Sequence, residues 1–244
     1  MRADDLDQTL RCVLTAQDRG RRGRDTPLLT AGALHERGLA IREKALGPEH
    51  PDVAASLANL GIVHKSTGDY PQARALYERA LAIREKALGP EHPNVALGLY
   101  NLGNLHISTG DYPQARALHE RALAIREKTF GPEDLSVTDS LLGLADVALA
   151  QSRPADAVPL AERAVSVREK GGVAAEHLAE ARFALARASW AAPLDRGRDR
   201  ARAVQLATAA RDAYRVTKGH EKPLAEVEAW LRRVDSPQEN AEKK

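Results

Sequence analysis

A stretch that repeats at a fixed interval constrains a chain severely, because each copy must adopt one local structure and bury its apolar face against its neighbours. Residues 66–93, STGDYPQARALYERALAIREKALGPEHP, return 42 residues later as STGDYPQARALHERALAIREKTFGPEDL, with 23 of 28 positions identical. The end of the same wording is already present at 33–51, which matches 75–93 at 17 of 19 places, and a fainter echo, AERAVSVREK, follows at 161–170. The chain is an array. Its period alone is compatible with paired helices or with propeller blades.

The apolar spacing inside the repeat decides between them. Val95, Leu99, Leu102 and Leu105 fall at i, i+4, i+7 and i+10, and Ala115, Leu118, Ala122 and Ile125 at i, i+3, i+7 and i+10, two helical stripes. Blades need alternation with a period of two and abundant aromatics, whereas Phe, Trp and Tyr make up only 4% of the chain. Each unit is therefore a helical hairpin. Asp111 is placed to cap the second helix, with Gln114 three residues on and Pro113 tolerable in the first turn. Gly89 and Gly131, each followed by proline, end the long stripes. The next first helix restarts at Pro51 and Pro93.

The order Leu99, Asn101-Leu102-Gly103, Gly110-Asp111-Tyr112, Ala115, Ala122 resembles the tetratricopeptide repeat (TPR) pattern, and the 42-residue period with ALAIREKALGPEHPNVA is similar to the kinesin-light-chain type of TPR. The resemblance implies an all-α fold, a TPR solenoid in which antiparallel helical hairpins form a right-handed superhelix. It covers residues 29–170 closely and 178–234 faintly. The C-terminal wording also resembles TPR arrays attached to bacterial signalling proteins, including serine/threonine kinases, although no kinase motif is present.

On this reading residues 1–28 form a degenerate first helix, over about 4–17, and an arginine-rich loop, while 29–51 form the second helix of the first hairpin. Residues 52–93 and 94–135 are clean TPR repeats, 136–175 is a divergent one and 176–218 a divergent TPR-like hairpin. Residues 221–234, with Leu224, Val227, Trp230, Leu231 and Val234 on one stripe, are a capping helix, and 235–244 a disordered polar tail. Pro154 is tolerable at a helix start, whereas Pro159 should weaken the first turn that follows it.

Composition excludes several functions. With 36 basic and 34 acidic residues the net charge is +2, so no global field points to nucleic acid, a membrane or an acidic substrate. Cys12 is the sole cysteine, which rules out an internal disulfide and any multi-thiolate metal site. The sequence holds no apolar run long enough to span a bilayer and no leader of signal-peptide form, so a cytoplasmic location is expected.

Catalytic signatures are lacking as well. His64 and His106, His50 and His92 lie 42 apart and His35 and His119 lie 84 apart, so they recur because the repeat does; no HExxH pairing occurs, and no metal or cofactor is expected. The pairs Arg74 with Glu78 and Arg116 with Glu120 have the i, i+4 spacing of surface ion pairs. Glycine-rich phosphate loops and a GxSxG elbow are absent. The chain is not expected to be an enzyme.

The resemblance implies that first helices line a concave groove. The side chains off the packing stripe are Ala58, Asn59, Ile62 and Lys65, then Tyr100, Asn101, Asn104 and Ser108, then Leu142, Asp146 and Leu149, and further on Phe183 and Arg187. Asn59 and Asn101 hold one place in successive units, where an amide that donates and accepts can clamp an extended peptide backbone or can satisfy bonds within the repeat. The chaperone-tail clamp of some TPRs needs Lys and Arg where this chain has Ala55, Ala58, Leu97, Asp139 and Gly143, so a ligand with apolar anchors beside Ile62, Tyr100 and Leu142 is expected instead. The function expected is a protein-interaction scaffold holding a peptide or partner protein. The alternative is a C-terminal TPR array or fragment of a bacterial signalling regulator, of the kinase or transcription-factor type, whose activity lies elsewhere. RNA binding through the arginine loops is a third reading, against which stands the want of stacking aromatics beside Arg19, Arg21, Arg22 and Arg24.

Overall fold

The computed structural model describes residues 26–235, with side chains described from Gly32 onward. Ten helices and no strand occur among the described residues: α1 (Thr26–Leu46), α2 (Pro51–Ser66), α3 (Tyr70–Leu88), α4 (Pro93–Thr109), α5 (Tyr112–Phe130), α6 (Val137–Ala150), α7 (Pro154–Lys170), α8 (Ala175–Ala191), α9 (Arg200–Val216) and α10 (Glu221–Val234). The expected first helix over 4–17, the loop at 19–24 and the tail beyond Asp235 lie outside the described residues. The described residues divide into two compact units, with the boundary between Asn101 and Leu102.

In the first unit, α2 and α3 form a hairpin whose core is Val53, Ala54, Leu57 and Ala58 against Ala80 and Ile83, with Leu39 of α1 and Leu76 at its edge. The helix ends are set by chemistry that the repeat carries with it. His50 caps α2, its Nδ1 accepting from the Asp52 N–H at 3.2 Å, and Asp69 caps α3, its Oδ1 accepting from the Gln72 N–H at 3.3 Å. Gly89 then turns the chain out of α3 at φ +86°, a conformation that costs glycine nothing. The helix α3 is also tied at the surface to the segment before α2, by Arg79 to Glu43 of α1 at 2.7 Å and by Lys86 to Glu49 of the loop that follows α1 at 2.9 Å.

The second unit repeats these devices on α5 to α7. Asp111 caps α5 through the Gln114 N–H at 3.4 Å, and Arg163 pairs with Glu127 at 2.6 Å, two periods after the Arg79 pair. Its core runs from Val137, Leu141 and Ala145 of α6 through Ala157, Ala161 and Val165 of α7 to Ala181, Leu185 and Ala188 of α8. Pro159 does not interrupt α7, which is continuous from Pro154 to Lys170, and the proline stands exposed. At the C-terminal end Trp230 of α10 meets Phe183 edge-on at 6.0 Å and Trp190 at 5.7 Å, while Val227 and Val234 are buried beside Tyr214.

Among the described residues no helix is long and apolar enough to cross a membrane.

Candidate functional site

The expected site residues sort by unit. In the first unit, Asn59 and Ile62 stand one turn apart on α2, so they share a face. Both are exposed, Ile62 at 51%. Lys65 follows on the same side, half-buried. On the part of α4 in this unit, Tyr100 and Asn101 are half-buried while their neighbour Leu99 is fully buried. The two asparagines therefore share a repeat position but not an environment.

In the second unit, Asn104 is half-buried, and its backbone carbonyl accepts from the Ser108 hydroxyl at 2.9 Å. Leu142 is a correction: it is only 6% exposed and belongs to the α6–α8 core. Residues 141, 142 and 145 turn inward together because α6 is flanked by helices on more than one side. Ala58, buried at the core of the first unit, is corrected for the same reason.

Asp146 stays on the surface, bonded to Arg187 Nη1 at 3.0 Å, and that guanidinium lies 5.9 Å from the centre of the Phe183 ring. Packed surroundings push the Asp146 carboxyl upward and Glu180 and Glu226 add to this, while Arg187 opposes it. The carboxylate keeps 43% of its side chain open to solvent beside its guanidinium partner. Asp146, Phe183 and Arg187, separate in sequence, thus form one polar and aromatic patch.

The recurring histidines prove to be structural. His92 repeats the cap of His50, its Nδ1 accepting from the Asn94 N–H at 3.1 Å, and Asp134 replaces it one period on, accepting from the Ser136 N–H at 2.8 Å. His64 and His106 lie 3.1 and 3.2 Å from the capping aspartates Asp69 and Asp111. No group of three or more His, Cys, Asp or Glu among the described residues is placed to hold a metal.

One set of polar residues escaped the sequence reading, the arginine of the AIREK wording. Arg84, Arg126 and Arg168 are all buried, and Arg42 is half-buried. Arg42 and Arg126 each donate Nη1 to a serine hydroxyl 14 residues on, Ser56 and Ser140, at 2.8 Å. The available signal was a charged residue kept at 42, 84, 126 and 168 on helices whose other repeated positions are apolar or exposed.

A family model for the tetratricopeptide repeat matches residues 27–86, 65–128 and 94–170, together more than half of the chain. The chain belongs to the tetratricopeptide repeat family. Solved structures to which it is similar include TPR proteins of the kinesin-light-chain type. The nearly identical TPR-like repeats of a Podosopora anserina kinesin light chain protein align at 27% identity and a TM-score of 0.61, covering 88% of this chain and 97% of that one. A Q17M form of those repeats aligns at 27% identity and a TM-score of 0.63, over 86% and 94%. BtubC (BKLC) from P. vanneervenii shares the fold at 20% identity and a TM-score of 0.65, over 80% of this TPR chain and 76% of its own. No curated protein matches. The TPR family is one of protein-interaction scaffolds, and this chain is an all-α array of its hairpins.

Proposed function

We propose that this TPR array binds an extended segment of a partner protein on the first-helix faces of its repeats. The observation that carries the reading is on α2, where Ile62 stays exposed beside exposed Asn59 although the residues between and around them, Leu57, Ala58 and Leu60, are buried. An apolar side chain held in solvent next to an amide that donates and accepts has the two properties that capture of a peptide requires, an anchor and backbone bonding. Tyr100 and Asn101 extend the same chemistry on α4, with Leu97 exposed beside them. Asn104 and Asp146 stand at the position of Ile62 in the following repeats and change the apolar anchor to a polar one. Lys65 adds a positive charge, so the partner is expected to combine apolar with acidic residues. The function is binding without chemistry, and the cell compartment expected for it is the cytoplasm.

The double variant Tyr100→Ala, Asn101→Ala tests this. Half-buried residues at these places should cost stability no more than about 1 kcal/mol, while loss of an aromatic anchor and of one or two backbone hydrogen bonds should weaken capture of the native partner at least tenfold. A folded double variant that retains its partner from lysate at unchanged affinity would move the working surface away from α4.

A further inference from the structure

Every one of these four AIREK-position arginines but one is supplied with acceptors. Arg42 and Arg126 use Ser56 and Ser140. Arg168, 4% exposed, donates to Thr138 Oγ1 at 3.1 Å, Asp139 Oδ1 at 3.2 Å, Glu180 Oε2 at 2.8 Å and the His177 carbonyl. Arg84 is placed as deeply, 6% exposed, yet its Nη1 is buried with no acceptor at all.

The 42-residue register explains the difference. The place of Ser56 and Ser140 is taken at this repeat by Gly98, the places of Thr138 and Asp139 by Ala54 and Ala55, and that of Glu180 by Ala96. A Cβ at Gly98 would lie 3.4 Å from Arg84 Nη1, so the missing serine is missing at the guanidinium itself. All the side chains that satisfy this arginine elsewhere are replaced here by residues without a side-chain oxygen, while the arginine has been kept. A guanidinium cannot escape by losing its proton, and burial without an acceptor opposes its charge, drawing its pKa down.

We propose that Arg84 takes a carboxylate from the bound partner, a side-chain or terminal carboxylate entering where the other repeats provide their own oxygens. Arg168 supplies the precedent for the approach. Asp139 and Glu180 keep 45% and 56% of their side chains in solvent and still reach an arginine buried behind them. At Arg84 the equivalent of Asp139 is Ala55, a small and exposed residue, so no side chain of the repeat itself fills the place from which Asp139 reaches its arginine. The planar fork of donors matches the two oxygens of a carboxylate. The inference rests on the binding reading above for its partner, but the anchor is testable without one.

The test uses the full chain, labelled with 15N, and sodium acetate as probe, with sodium chloride at matched ionic strength as control. The Arg84 Nε–H resonance is identified as the signal absent in Arg84→Lys and displaced in Gly98→Ser, so either variant suffices if the other does not fold. Acetate should shift this resonance saturably and raise the melting temperature, and chloride should do neither. Gly98→Ser, which places a hydroxyl on Nη1 as at Ser56 and Ser140, should weaken the acetate response at least tenfold. An Arg84 signal indifferent to acetate, a Gly98→Ser protein that responds like wild type, or a response to phosphate and none to acetate would overturn the proposal. Should acetate fail while the Tyr100, Asn101 variant still loses its partner, the anchor falls and the binding reading stands.

Discussion

Tyr77 and His119 hold one repeat position 42 residues apart, and each ring occupies the space that a small residue vacates. A Cβ built at Gly61 would lie 2.5 Å from Tyr77 Cε1, and one at Gly103 would lie 2.6 Å from His119 Nε2. Gly103 is thus fixed by close approach, and Gly103→Leu should overpack the α4–α5 crossing by about 1–3 kcal/mol, seen as a lowered urea midpoint at unchanged slope. An unchanged midpoint would refute the helix register. Tyr77 also brings a pH dependence. Burial raises its phenol from 10.0 to about 12. Its folded pKa is above the unfolded one, so its contribution is complete below pH 10 and is lost as the pH rises through 12. Two units correspond to roughly 2–3 kcal/mol. Tyr214 shows the same shift, so Tyr77→Phe should remove about half of the tyrosine-linked loss between pH 10 and 12, and Tyr77→Phe, Tyr214→Phe nearly all of it, read from urea melts across that range.

At the scale of the element, helix ends matter more than helix interiors. Asp111 both caps α5 and faces His106, so it stabilises the turn from two sides. Asp111→Ala should cost about 1–2 kcal/mol and Asp111→Asn distinctly less, because asparagine keeps the cap and loses only the charge; equal costs in thermal melts would show that the charge, not the cap, is what counts. Surface ion pairs such as Arg74 with Glu78 and Arg116 with Glu120, at 2.8 and 2.7 Å, add only a few tenths of a kcal/mol each. These ends were legible in advance, since a cap and its partner lie within three residues of one another. The outward placing of Pro159 in α7 was not, because it depends on which side of that helix is packed.

For the molecule as a whole, the repeat register sets how stability is distributed. Each hairpin is buried chiefly by its neighbours, so deletion of residues 136–244 should leave a chain with helical content per residue nearly unchanged and a lower melting temperature, since nearest-neighbour terms are lost in proportion. Circular dichroism of the truncated chain checks this. Collapse to a coil would mean that the remaining hairpins do not hold their own cores. The candidate site follows the same division. Asn59, Ile62, Tyr100 and Asn101 belong to the first unit and Asn104 and Asp146 to the second, and in the 42-residue register the position of Ile62 is taken by Asn104 and then by Asp146.

The sequence by itself determined the period, the helical hairpin, the positions of its caps and its membership of the TPR family, because all of these are written in residues a few positions apart and repeated. Tertiary structure alone decided which off-stripe residues remain at the surface. Leu142 and Ala58 went into the core because a helix with neighbours on more than one side buries more than its single stripe. It also decided the fate of the AIREK arginines, whose acceptors sit 9 to 30 residues away on other helices. From the sequence, Arg84 reads like Arg42, Arg126 and Arg168; only the packed helices bring Gly98 to its guanidinium and leave a buried charge with nothing of its own to bind.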